Sequence, residues 1–171
     1  LDLISEKGFE IFLDLKLHDI PNTVANSVRK ISNFNVALTT IHLNGGKDMI
    51  EAASSEKGNI KILGVSILTS LSENDIFEIT HTEFDAYFNN LISIASNTNV
   101  DGVVCSPNEL DKLKNFNKLK VVPGIRNDIS DDDQKRVLSP MEAYKKGADF
   151  IVVGRPITKS EDPRKALELF L

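Results

Sequence analysis

The 171 residues are 41% apolar and 26% charged, the balance of one globular domain with enough Ile, Leu and Val to build a core. The 25 acidic residues outnumber 20 basic ones and no Lys/Arg-rich run occurs, which speaks against a nucleic-acid or membrane-surface partner. Apolar runs such as residues 150–153 are far short of the roughly 20 residues that cross a bilayer, and the single Cys105 excludes an internal disulfide and fits a reducing cytoplasm.

The chain opens on Leu1 rather than Met, and residues 1–8 read as the end of a helix with a stop at Gly8. A chain that starts inside an element is expected to be a fragment. Near-continuous apolar runs at 10–15, 36–42, 60–66, 102–105, 119–122 and 150–153 predict strands buried on both faces, as in parallel sheets. Between them, 22–33 places Val24, Val28 and Ile31 at helical spacing behind Pro21. Residues 47–56 and 84–96 predict two more helices. Segments 107–114 and 140–146 each follow a Ser-Pro, with Ser106 and Ser139 as caps, and 163–171 predicts the last helix.

Six βα units in succession predict an α/β fold with right-handed crossovers, in a single domain over 1–171. Two architectures fit. One is an open doubly wound sheet; the other is a (βα)8 TIM barrel lacking its first two strands, about three quarters of a barrel that typically needs about 250 residues. Periodicity leaves both open.

Polar residues gather after the strands, where both architectures place ligands. In Asp14-Leu15-Lys16-Leu17-His18-Asp19, Asp14 and Lys16 sit two apart on a strand and are expected on one face, with Asp19 at the following turn. An ammonium among carboxylates keeps its charge and its place, which suits a general acid serving a developing carbanion. The same residues also fit a structural ion pair at a barrel mouth, and Asp14 with Asp19 a divalent-metal site in which Lys16 competes for the carboxylates. His42, ahead of Leu43-Asn44-Gly45-Gly46, reads as a rim histidine more than a ligand contact. Leu68-Thr69-Ser70 offers hydroxyls or a helix cap. Pro123-Gly124-Ile125-Arg126 leads into a polar loop, 127–135, that holds Gln134 and suits a mobile lid. Gly154-Arg155-Pro156-Ile157-Thr158 follows the final strand, where Gly admits close backbone approach and Arg offers a forked cation for phosphate. Cys105 reads as packing. No Ser-His-Asp set, Cys/His cluster, P-loop or Gly-x-Gly-x-x-Gly turn is present.

The string Phe12-Leu13-Asp14-Leu15-Lys16-Leu17-His18-Asp19-Ile20-Pro21-Asn22-Thr23 closely resembles the signature of the orotidine 5'-phosphate decarboxylase family. Further matches follow in the family's order: Leu68-Thr69-Ser70, Asp101-Gly102-Val103-Val104-Cys105-Ser106, Pro123-Gly124-Ile125-Arg126, Gln134 and Gly154-Arg155-Pro156-Ile157-Thr158. The resemblance implies a (βα)8 barrel, usually a homodimer, that makes UMP and carbon dioxide in pyrimidine biosynthesis with no metal and no cofactor. It implies that Asp14, Lys16 and Asp19 belong to the charged catalytic network, with Lys16 donating the proton to C6 of the pyrimidine. Asp19 and Thr23 would act in the partner subunit's site. Thr69 would contact the pyrimidine. Arg126, Gln134, Gly154 and Arg155 would contact the ligand, Gln134 and Arg155 on the phosphate side.

In that family an Asp for the ribose and a Lys for the charged network precede the motif, and neither has a counterpart here. By this reading the chain alone is expected to be weakly active or inactive. Two other readings remain at this point: a related Mg²⁺-dependent sugar-phosphate decarboxylase, such as a keto-gulonate-phosphate decarboxylase, and a non-catalytic fragment that binds a phosphate ligand.

Overall fold

The computed structural model describes residues 1–126 and 138–170, so Gln134 and the whole loop 127–135 expected to act as a lid lie outside the described residues. The chain divides into two compact units, Leu1–Val104 and Cys105–Leu171.

The first unit opens with the short helix α1 (Asp2–Ser5), and the chain then turns at Gly8, whose φ of 80° favours glycine. Three full βα steps follow: β1 (Ile11–Leu17), α2 (Pro21–Ile31), β2 (Val36–His42), α3 (Lys47–Ser55), β3 (Lys61–Val65), then α4 (Glu73–Thr80) and α5 (Phe84–Ser96) before β4 (Gly102–Val104). β1 pairs with β2, β2 with β3 and β3 with β4, all parallel. Each crossover therefore advances one strand in the same direction. A doubly wound sheet reverses at its switch point, so four strands in unbroken chain order are the winding of a barrel and not of an open sheet.

The sequence explains these elements locally. Pro21 opens α2, where its missing N–H is no loss, and Val24, Val28 and Ile31 form the buried stripe. Ile31 joins Ile11, Val36 and Ile60 in a cluster against which Leu13 and Leu17 pack. A fully buried side chain such as Val28 contributes about 2 kcal/mol relative to exposure. Gly64 lets β3 approach Leu43, whose side chain a Cβ there would strike. Helix α4 was not expected from the apolar pattern, yet its start is written in residues 72–75. The Ser72 hydroxyl accepts from the Asp75 N–H at 3.2 Å and the Asp75 carboxylate accepts from the Ser72 N–H at 2.7 Å.

The second unit carries β5 (Leu119–Pro123), α6 (Pro140–Lys145), β6 (Phe150–Val152), α7 (Arg155–Thr158) and α8 (Pro163–Glu168), with β5 and β6 parallel. Ser139 caps α6 in a reciprocal box with Glu142, as its Ser-Pro start suggested. The helix expected at 107–114 is a 3₁₀ stretch, Pro107–Leu113, and α8 is shorter than its pattern suggested. Cys105 is buried, and burial with Glu109 nearby pushes its thiol well above the ordinary range despite Lys120, which fits a packing role. Among the described residues, no helix is long and apolar enough to cross a membrane.

Candidate active site

The chemistry of the first unit concentrates at the C-terminal end of β1, where the strand is irregular. From Leu13 to Leu17, β1 advances four residues while its partner β2 advances two, from Thr39 to Ile41. Asp14, Leu15 and Lys16 thus stand opposite the single Thr40 and form a bulge, a device that re-aims side chains beside functional sites. Lys16 sits at φ 50°, a left-handed conformation that costs a non-glycine residue about 1–2 kcal/mol. The other such residue described, His81, caps the end of a helix, where that conformation is usual. Lys16 has no such excuse; it is strained inside a strand.

The result is a compact ionic group. Lys16 Nζ donates to Asp14 Oδ2 at 2.5 Å. Thr40 Oγ1 donates to Asp14 Oδ1 at 2.7 Å and accepts from the Lys16 backbone N–H at 2.8 Å. The neighbouring Thr39 hydroxyl donates to the Leu13 carbonyl at 2.8 Å. Both threonines are fully buried, whereas the Asp14 and Lys16 side chains remain 43% and 39% exposed, open to an incoming molecule. Regular strand alternation, the expectation from sequence, does not apply through the bulge. The two charges meet because the bulge and the left-handed lysine bring them together.

His18 and His42 flank this group with ring centroids 5.3 Å apart. His42 titrates below its ordinary value, chiefly through burial, then through the positive charges of His18 and Lys16, with Asp14 opposing. Gly45 keeps the corner open, since a Cβ there would meet Met49 and come within 3.3 Å of the His18 ring.

The remaining expected residues are placed as follows. Asp19 lies exposed at the turn after β1, where its carboxylate accepts the Ile20 N–H at 2.7 Å; among the described residues the ion pair of Lys16 is with Asp14 alone. Thr23 is exposed in the first turn of α2, and Thr69 is exposed in the turn after β3. In the second unit, Arg126 follows the turn made by Gly124 at φ 78°, and its N–H donates to the Leu138 carbonyl at 3.2 Å. Gly154 and Arg155 are exposed after β6. Among the described residues nothing lies within 4 Å of a Cβ built at Gly154, so their packing does not require glycine there. No group of three or more His, Cys, Asp or Glu able to hold a metal ion is formed among the described residues. Sequence reasoning passed over Thr40. Its signal was present: two adjacent hydroxyls, Thr39-Thr40, at the buried centre of an otherwise apolar strand.

Comparison with known proteins finds close relatives over nearly the whole chain. Over 98% of this chain and 75% of the relative, the sequence is 48% identical to orotidine 5'-phosphate decarboxylase of Aquifex aeolicus. Over 96% and 74%, it is 44% identical to the enzyme of that name from Ehrlichia chaffeensis. The crystal structure of orotidine 5'-phosphate decarboxylase from Lactobacillus acidophilus superposes with a TM-score of 0.85 at 35% identity, covering 98% of this chain and 76% of that one. The fold class is accordingly α/β, with six βα units of a (βα)8 barrel. The family model described as orotidine 5'-phosphate decarboxylase / HUMPS matches residues 1–170, and this chain belongs to that family.

Proposed function

We propose that the protein carrying this chain decarboxylates orotidine 5'-phosphate to UMP and carbon dioxide in pyrimidine biosynthesis, without a cofactor and with Lys16 as the proton donor. The observation that carries this reading is the Lys16–Asp14 pair, 2.5 Å apart and partly open, in the strand-end string that matches the family. The relatives at 44–48% identity bear the decarboxylase name, which favours the nucleotide enzyme over a sugar-phosphate decarboxylase or a non-catalytic binding fragment.

The chemistry follows from the charges. The bond from C6 to the carboxylate breaks, carbon dioxide leaves, and the electron pair stays on C6. No neighbouring π system accepts that pair readily. The Lys16 ammonium stabilises it by its charge and then transfers a proton from Nζ to C6, giving UMP and a neutral amine that solvent reprotonates. Asp14, adjacent to the substrate carboxylate, would repel it before the bond breaks. The phosphate lies far from the reacting carbon, so the binding energy of Arg155 and Gln134 would be spent on positioning and felt in turnover. Thr69 would contact the pyrimidine, and Arg126 and Gly154 other parts of the ligand. Asp19 and Thr23 would serve the site of a second subunit in a homodimer. Their exposure at the start of α2 is compatible with that role. A cytoplasmic location fits the single, buried, unpaired thiol.

The test is release of carbon dioxide from orotidine 5'-phosphate by the purified protein. Lys16→Ala should lower kcat by roughly 10²–10⁴-fold while UMP still raises the melting temperature. Unchanged turnover in Lys16→Ala, or loss of wild-type turnover on chelation with recovery on Mg²⁺, overturns the reading.

A further inference from the structure

We propose that Thr40 is a positioning residue for the decarboxylation, holding Asp14 and Lys16 in their working arrangement through a single hydroxyl. The inference rests on the proposed reading of the Lys16 site and goes further by naming what fixes its geometry.

The bulge creates the need. With β1 two residues longer than β2 across this stretch, Lys16 falls out of the strand ladder, and its N–H is met by a side chain instead of a carbonyl. That side chain is Thr40. A backbone N–H can only donate, so the single hydroxyl proton of Thr40 is directed to the Asp14 carboxylate, 2.7 Å away. The other Asp14 oxygen receives Lys16 Nζ. The bonds close a ring: hydroxyl, carboxylate, ammonium, lysine backbone, hydroxyl. The lysine backbone is thereby tied to the buried hydroxyl directly, and its ammonium is tied to it through Asp14.

Three features make this more than a chance contact. Thr40 is fully buried while the charges it holds are open, so water does not compete at the anchor but has access to the working groups. Threonine is β-branched, so the strand restricts its χ1 and with it the direction of the hydroxyl. The left-handed conformation of Lys16 persists only where surroundings hold it, and the Thr40 hydroxyl accepts the N–H of that very residue. Thr39 provides an internal comparison. It is equally buried and also hydrogen-bonded to β1, but its hydroxyl makes one bond there, to the Leu13 carbonyl, short of the bulge.

The experiment compares Thr40→Val, Thr40→Ala, Thr40→Ser and Thr39→Val for kcat and KM on orotidine 5'-phosphate and for melting temperature. Thr40→Val and Thr40→Ala should lower kcat by roughly 10–100-fold with KM within about threefold of wild type, the signature of misplaced reacting groups. Thr40→Ser restores the hydroxyl and should return kcat to within about threefold of wild type. Thr39→Val should lower the melting temperature while kcat stays near wild type. Should Thr40→Val not fold, Thr40→Ala carries the same test. Wild-type kcat in a folded Thr40→Val or Thr40→Ala, no rescue by serine, or an equal fall in kcat in Thr39→Val overturns the assignment. If Lys16→Ala is inactive while Thr40→Val and Thr40→Ala work normally, the positioning role alone fails; if Lys16→Ala works, the reading of the site fails with it.

Discussion

Two lysine–aspartate pairs sit at opposite ends of the same four strands. At the C-terminal end of β1, Lys16 meets Asp14 across a bulge. At the N-terminal ends of β3 and β4, Lys57 meets Asp101, with both carboxylate oxygens 2.7 Å from Nζ. The charges are alike, but their supports differ. Asp101 also accepts the Ile62 N–H at 2.8 Å, so it staples the turn before β4 to the start of β3, and Lys57 reaches the Asn99 carbonyl as well. Neither residue of that pair has a left-handed backbone. Its side chains are 24% and 28% exposed, against 39% and 43% for the upper pair. The lower pair is fastened to main chain and shielded; the upper pair is strained, held by a buried hydroxyl and left open. Strain is retained where surrounding structure enforces it, and such sites are where function concentrates. An ion pair's chemistry is thus read from what holds it, not from its partners' names.

Swapping the two lysines for methionine breaks the comparison most directly. Lys16→Met should reduce kcat by roughly 10³-fold with little change in melting temperature, because it removes the proton donor while sparing the core. Lys57→Met should leave kcat within about twofold and lower stability by about 1 kcal/mol, since this pair is only partly exposed. Steady-state kinetics beside thermal unfolding checks both. Equal losses of turnover would mean the two ends are not functionally distinct.

Asp101→Ala sharpens the stability side. It removes the partner of Lys57 and also the acceptor of the Ile62 N–H, so it should cost about 1–3 kcal/mol, more than Lys57→Met, with kcat again near wild type. Urea unfolding of the two variants orders them; a smaller loss in Asp101→Ala than in Lys57→Met would show that the backbone bond contributes nothing.

The difference between the two ends also explains what could be read from the sequence. Strands and helices were legible because their signals are local: the apolar run at 36–42 is β2 over the same residues, and the stripe at 84–96 is α5. The paired charges of Asp14 and Lys16 were legible too, although from an alternation rule that the bulge suspends. A bulge is a mismatch between two strands 25 or so residues apart and leaves no mark in either one alone. Thr40 was passed over for that reason, since its value depends on which residue of β1 falls opposite it. The helix α4 escaped for another: it buries Ile76 but leaves Phe77 and Ile79 exposed, so no clean apolar stripe marks it, and the Ser72–Asp75 box announces it. The choice between barrel and open sheet also waited for strand order, which no single strand encodes.

The smallest expected effect tests whether the upper pair's field reaches its neighbours. His42 titrates below its ordinary value of 6.5 because burial, His18 and Lys16 each disfavour its proton, Asp14 acting the other way. The unfolded chain therefore binds more protons at this position than the folded one as the pH falls through 6.5. Stability attributable to His42 is present above that value and is lost as the pH drops below it. Thermal midpoints measured from pH 7.5 to 5.5 should fall with acidity in wild type and fall less in His42→Gln. Lys16→Met deletes one of the three causes, so it should raise the His42 titration midpoint seen by NMR, while Lys57→Met, at the other end of the strands, should leave it where it was. A midpoint that moves with neither lysine would mean that burial and His18 govern this histidine and that the charge at the mouth of β1 is screened before it reaches the next strand.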